Sequence, residues 1–224
     1  MRLFIAEKPS VAEDIAKALP GNFTKQDECY VSGEDYVTWC YGHLLKTMEP
    51  EMYDPAYKNW SRDVLPLRLF PLQYEPIADK KTHTKKVIGL LKKCDEIILA
   101  TDADDEGELL GREIIEFAGV KKPIKRALIN DNTDAGVKKA LADLKPGEQF
   151  EGLYRKALAR QSGDLVYGLS MTRLCTILAR EKGHKGVLSV GRVQTPVLGL
   201  IVRRFLANQS HSSSFYYTLQ GAFQ

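Results

Sequence analysis

IILATDADDEGELLGREII, residues 97–115, is the stretch whose reading decides the fold. An apolar run, Ile97 to Ala100, has the length of a buried strand, and a helical pattern begins at about Asp105. Between them stand four carboxylates within five residues, Asp102, Asp104, Asp105 and Glu106, with Glu108 close behind. At roughly 4 Å, each like-charge pair costs on the order of a few kcal/mol at a partly buried site. A helix N-terminus offsets only ~0.3–1 kcal/mol per charge. Solvent or a hard dication must supply the rest. A well-capped helix explains Asp105 and Glu108 on its own, but Asp102 and Asp104 precede the helix on the end of an apolar strand.

Working outward, strand-like and helix-like segments alternate on both sides. Arg2 to Ala6 reads as a buried strand, and Pro9-Ser10 open a helix that Pro20-Gly21 close. Residues 28–31 and 36–41 read as a hairpin around Ser32-Gly33-Glu34-Asp35. Residues 50–78, rich in Pro, Tyr and Trp, predict an irregular excursion. A helix at 82–93, the strand at 96–100, a helix at 105–118, a strand at 126–129 and a helix at 132–143 follow. This alternation predicts an α/β fold, a mostly parallel sheet with flanking helices. Ligands of such sheets bind beyond the carboxyl ends of the strands. Glu7 follows the first strand, and Asp102 and Asp104 follow the strand at 96–100. If those strands are neighbours, the carboxylates share one crevice suited to Mg²⁺.

Lys145-Pro146-Gly147 marks a plausible boundary, so residues 1–148 form the first expected domain. Beyond it the pattern turns helical, at 151–168, 170–181 and 191–206, with Gly183 to Gly186 as a break. This gives a second, mainly helical domain over 149–212. SFYYTLQGAF (214–223) then alternates like the first strand of a further β domain, expected over 213–224. From Arg155 to Arg204 there are ten Lys and Arg against two acids, Asp164 and Glu181, whereas the first 154 residues carry 22 basic and 27 acidic. An acidic module followed by a basic one suggests nucleic-acid binding in the second, with a solvated helical face as the plain alternative.

No apolar run approaches the roughly 20 residues of a membrane helix, and the N-terminus lacks a secretory signal's features. Four scattered cysteines suggest neither zinc nor a disulfide framework. A cytoplasmic protein with reduced thiols is the expectation.

An acidic residue after the first strand, then D-x-D-x-E-G-E after a later one, resembles the TOPRIM domain of topoisomerases and primases. LSVGRVQTPVLGLIVRR (188–204) is similar to the DNA-binding segment of type IA DNA topoisomerases. MRLFIAEKPSVAEDIAKAL, VTWCYGHLL (37–45) and YGLSMTR (167–173) resemble the topoisomerase III branch. The matches run through nearly the whole chain in the family's order. They imply a Rossmann-like TOPRIM domain followed by a helical DNA-binding domain. Glu7, Asp102, Asp104 and Glu106 then stand as catalytic, Mg²⁺-binding carboxylates, with Lys8 near the scissile phosphate. A lysine there would supply charge to a phosphodiester in its transition state. The resemblance departs at Asp105, where the family usually has Arg.

For DNA, the resemblance points to Ser189, Val190, Gly191, Arg192, Val193 and Gln194, and to Arg160, Asp164 and Arg173. Gly191 permits close backbone approach, and a helix N-terminus there offers N–H groups to phosphate. Asp164 could equally be a salt-bridge partner. Trp60 could stack on a base or pack in a core; His43 reads as structural, and Arg203 and Arg204 as complements of a helix dipole.

The family reaction is transesterification through a 5′-phosphotyrosine link, which keeps the strand break reversible. Its nucleophile lies in a Thr-Tyr-x-Arg context, and none of the ten tyrosines here has one. The chain thus reads as an N-terminal portion of a larger topoisomerase, inactive alone. Its expected partners are single-stranded DNA and the remainder of that chain, with no membrane; its expected place is the cytoplasm, at the bacterial nucleoid. Two alternatives stay open: a TOPRIM nuclease or primase-like phosphoryl transferase, and a non-catalytic single-strand-binding protein.

Overall fold

The structure, a computed structural model, describes residues 1–222. The chain divides into two compact units, Met1–Lys58 with Arg68–Gly163, and Asn59–Leu67 with Asp164–Gln224.

In the first unit the elements run β1 (Arg2–Ala6), α1 (Pro9–Ala18), β2 (Thr24–Gln26), β3 (Cys29–Ser32), β4 (Asp35–Trp39), β5 (Leu45–Thr47), β6 (Tyr74–Pro76), α2 (Lys81–Lys93), β7 (Glu96–Ala100), α3 (Asp105–Phe117), β8 (Ile124–Arg126), α4 (Asp134–Ala142) and β9 (Lys145–Pro146). The main sheet has the order β2-β3-β4-β1-β7-β8-β9. Its middle strands β4, β1, β7 and β8 are parallel, and antiparallel pairs close both edges. β5 and β6 form a separate two-stranded ladder.

Alternation along β1 and β7 explains why both are continuous apolar runs. Leu3, Ile5, Ile97 and Leu99 face one way and pack with Val87 and Leu91 of α2 and Leu110 and Ile114 of α3. Phe4, Ala6, Ile98 and Ala100 face the other way, against Ala12 and Ile15 of α1 and Val137 of α4. A strand buried on both faces has no polar side to show. α1 starts where Pro9 takes a first-turn position that needs no N–H donor.

The mostly parallel sheet with helices on its faces matches the expected fold class, but several local expectations need correction. The strand expected at 126–129 is Ile124–Arg126, after which the ladder adds one bond, from Ala127 N to Leu99 O at 2.8 Å. At the expected boundary, Lys145–Pro146 form an edge strand, β9, that was not expected. Pro146 is tolerated there because an edge needs no donor on its outer side. β2 and the β5–β6 ladder were not expected. In the excursion, 3₁₀ turns form at Pro50–Met52, Pro55–Lys58 and Arg62–Val64.

The two helices expected at 151–168 and 170–181 are one, α5 (Glu151–Glu181). Gly168 lies inside it; an interior glycine costs about 1 kcal/mol and does not break a long helix. Residues to Gly163 belong to the first unit and those from Asp164 to the second. Gly183 and Gly186 both have positive φ, as the break between helices requires. α6 spans Gln194–Gln209, starting three residues later and ending three later than expected. Residues 211–222 hold no strand, and the last two residues of the expected closing strand lie outside the described residues.

Candidate metal centre and nucleic-acid interface

Parallel pairing of β1 with β7, with Ala6 opposite Ala100, brings their carboxyl ends side by side. Glu7 follows at once and Asp102 one residue after Thr101, and Glu7 Oε2 accepts a hydrogen bond from the Asp102 N–H at 3.1 Å. Asp104 is the N-cap of α3: its extended backbone aims Oδ1 at the Gly107 N–H, 2.8 Å away. This answers one of the four orphan donors at the helix start.

The neighbouring acids are satisfied differently. Arg160, from the first part of α5, donates to Asp105 Oδ2 at 3.0 Å and to Glu106 Oε2 at 2.9 Å. Lys156 lies 3.2 Å from Asp105 Oδ2. The Lys156 hydrogen bond, with Arg160 adding charge, holds the Asp105 carboxyl below its ordinary pKa. Two basic side chains thus meet the one acid that departs from the family motif. His43 bridges Glu106 to one further acid, with Nδ1 3.0 Å from Glu113 Oε2 and Nε2 3.0 Å from Glu106 Oε1. Its hydrogen bond to Glu113, joined by the one to Glu106, outweighs burial and raises its pKa to about 9. An imidazolium donating from both nitrogens is the form that suits two carboxylates.

The crowding in the sequence is therefore relieved in three ways. The helix terminus takes Asp104, protein cations take Asp105 and Glu106, and the exposed Asp102 carboxylate has no protein partner among the described residues. Among the described residues, no three Asp, Glu, His or Cys side chains gather closely enough to hold a metal ion. In kind, Glu7, Asp102 and Asp104 fit a hard dication: all are carboxylates, and Glu7 and Asp104 each use only one oxygen in the contacts above. In placement, Glu106 is committed to His43 and Arg160. Lys8 lies beside the group, its Nζ 3.9 Å from Glu7 Oε1, and is otherwise open to solvent.

Gly107 explains the glycine of the acidic motif. A Cβ there would sit 2.2 Å from the Asp102 carbonyl oxygen, so only glycine lets α3 start this close to the strand end. Thr101 Oγ1 donates to Gly107 O at 2.7 Å and ties the same two points together. Beneath them lies Arg126, 1% exposed. Neither Arg126 nor the charged role of His43 was found from the sequence. The only signal was an arginine inside a strand-like run and a histidine after a glycine.

In the second unit, residues 187–193 lie along the later half of α5. Val190 exchanges bonds with Thr172 Oγ1, its N–H donating at 2.9 Å and its carbonyl accepting at 3.3 Å. Leu188 N–H donates to Thr176 Oγ1 at 3.0 Å. Within the segment, Gln194 Nε2 donates to Ser189 Oγ at 2.7 Å and Gly191 N–H to Thr195 Oγ1 at 3.0 Å. Arg192 forks onto Asp164, with Nε at 2.6 Å and Nη2 at 3.0 Å from its two oxygens. Val193 is exposed beside them. Arg173 is buried, its guanidinium carbon 5.2 Å from the centre of the Trp60 ring, and Arg180 stands 5.7 Å from the same ring. Arg62 pairs with Glu181. Trp60 is thus held by arginines rather than in an apolar core. Arg160 belongs to the first unit and is bonded to the acids there. Arg203 Nε donates to Gly199 O within α6, and α6 exposes Leu198, Leu200, Ile201, Phe205 and Leu206.

The Toprim domain model matches residues 2–132, and the model described as DNA topoisomerase matches residues 148–224. The DNA topoisomerase 3 of Vibrio cholerae is 44% identical over 223 residues, covering 97% of this chain and 34% of that protein. That of Haemophilus influenzae is 43% identical, covering 98% and 35%. The chain thus spans about a third of the length of the curated relatives it matches. The solved full-length topoisomerase I of Thermotoga maritima is similar in fold, with a TM-score of 0.61 at 22% identity over 94% of this chain and 31% of that one. No helix among the described residues is long and apolar enough to cross a membrane.

Proposed function

The chain belongs to the Toprim family, and on that premise we propose that it is the metal- and DNA-binding part of a type IA topoisomerase of the topoisomerase III kind. The observation that carries this reading is the contact of Glu7 with the Asp102 backbone across adjacent parallel strands. Two segments about 95 residues apart in the chain are thereby held at one strand-end crevice. The match of residues 148–224 to the DNA topoisomerase model supports the second half.

In this reading Glu7, Asp102 and Asp104 hold Mg²⁺, whose chemistry when bound is to neutralise charge on phosphodiester oxygens. Lys8 adds a cation at the same crevice, where a phosphate would lie. Arg160 stands between two duties. Its guanidinium binds Asp105 and Glu106 here, and a phosphate drawn to it would have to compete with them. In the second unit, Ser189 to Gln194 contact a single strand, Arg192 positions phosphate, and Arg173 with Trp60 offers a stacking surface. The attacking tyrosine comes from residues outside 1–224. The domain division proposed is 1–148, 149–212 and 213–224. The exposed apolar residues of α6 would be covered in the longer protein, since a helix apolar on most sides is usually buried. The place of action is the bacterial cytoplasm.

Incubating the chain with Mg²⁺ and labelled single-stranded DNA tests this. Binding without cutting is expected, and adding the downstream region should restore relaxation of negatively supercoiled DNA. Metal-dependent cutting by the chain alone, with no covalent adduct, would replace the reading with a nuclease.

A further inference from the structure

Arg126 is among the largest side chains in the molecule to be wholly buried, and the acidic motif gives it no role. It enters from β8, beside β7, and its guanidinium turns under the end of β7. Nη1 donates to the carbonyls of Leu99 at 3.2 Å and Thr101 at 2.8 Å, and Nη2 donates to that of Asp102 at 2.5 Å. The carbonyls of Thr101 and Asp102 lie beyond the strand's end and need donors, whereas that of Leu99 also accepts from the Ala127 N–H at 2.8 Å. Nε lies 2.7 Å from Glu108 Oε2, as an ion pair rather than an aligned hydrogen bond. Glu108, also 1% exposed, receives Arg112 Nε on its other oxygen at 2.6 Å. Arg112 in turn reaches Glu151 at 2.9 Å and the Gly147 carbonyl at 2.6 Å.

A buried charge is costly unless it is paired and fully hydrogen-bonded, and apolar residues of similar volume usually serve a core as well or better. Burial does depress the Arg126 pKa, with Glu108 the main opposing influence and Asp104 a further one. An arginine held at this cost, with its fork on three backbone carbonyls between residues 99 and 102, does what an apolar side chain could not. It fixes the path of residues 99–102.

We propose that Arg126 is a positioning residue for the acidic site: a buried strut, braced by Glu108 and Arg112, that sets where Asp102 and the Asp104 cap stand. Its positive charge also attracts the Asp104 carboxylate. The consequence for Mg²⁺ rests on the reading of Asp102 and Asp104 as ligands; the consequence for the loop does not.

The test separates the two. Amide hydrogen exchange of the metal-free chain would be followed in wild type, Arg126→Lys and Glu108→Gln. Lysine keeps the charge but loses the fork, and glutamine keeps the shape of Glu108 while removing its charge. Both variants should speed exchange in residues 101–107 at least tenfold, with protection of β1 and β4 unchanged. Exchange in 101–107 equal to wild type in either folded variant would overturn the strut. If one variant does not fold, the other decides. Mg²⁺ titration of the same proteins then reads the site: wild type should bind, and Arg126→Lys should bind at least tenfold more weakly. A wild type that takes up no Mg²⁺ would defeat the metal reading and leave the exchange result to judge the strut.

Discussion

The loop that follows β7 and the segment from Ser189 to Gln194 both carry the residues expected to do chemistry, yet they are held in opposite ways. The first is clamped from below: Gly107 presses on the Asp102 backbone, Thr101 reaches across, and a buried arginine grips the carbonyls. The second is exposed, hung on two threonine hydroxyls, with Arg192 and Gln194 bonded to side chains that solvent or a ligand could replace. A hard cation needs donors set to within tenths of an ångström, which a rigid frame supplies. A flexible strand of nucleic acid is better met by side chains that can change partners.

Glycine substitutions sharpen this contrast most. Gly107→Ala puts a Cβ 2.2 Å from a backbone oxygen that is itself bonded to Arg126, so neither side can yield. It should destabilise the first unit by about 2–4 kcal/mol, read as a lower urea midpoint. Gly191→Ala meets only Gln194 side-chain atoms, the nearest at 2.9 Å, and that side chain can rotate. Its cost should stay below ~1 kcal/mol. Equal costs at the two glycines would erase the distinction between clamped and adaptable.

His43 offers the next largest effect. Its raised pKa, about 9 against an ordinary 6.5, means the folded state binds the proton more tightly. That stabilisation is fully present below about pH 6.5 and is lost as pH rises through 9. At this half-buried position, screened in part by solvent, it should amount to about 1 kcal/mol. Thermal melts in chelator from pH 6 to 10 should show that loss, and His43→Gln should flatten it. A wild-type curve flat over this range would show that the bridge to Glu113 and Glu106 holds no proton.

Much of this frame could be read in the sequence. β1, α1, β7 and α3 fell within a residue or two of their expected bounds, because their apolar periods are uninterrupted and a Pro or an acidic cap marks each helix start. The acidic motif announced its own site. What supports it did not show, since Arg126 and Glu108 carry charge in places where only tertiary packing makes charge tolerable. Likewise β9 was hidden by its proline, and the unity of α5 by Gly168, both cases in which tertiary context overrides local preference. His43 read as structural because nothing local links it to Glu106 and Glu113, which lie 63 and 70 residues away in the chain.

The smallest effect on stability is expected at Arg192. Its pair with Asp164 is exposed on both sides, so Arg192→Ala should change stability by less than ~0.5 kcal/mol. It should instead weaken single-stranded DNA binding and reduce the salt slope by about 0.7, the loss of one phosphate contact. An unchanged slope would remove Arg192 from the interface.

Calorimetric titration of the chain with Mg²⁺, beside Asp102→Asn combined with Asp104→Asn, goes to the centre of the account. Saturable uptake by the wild type, abolished in the double variant while its melting stays near wild type, is the predicted result. Identical uptake by both proteins would mean that the carboxylates at the ends of β1 and β7 do not form the metal site.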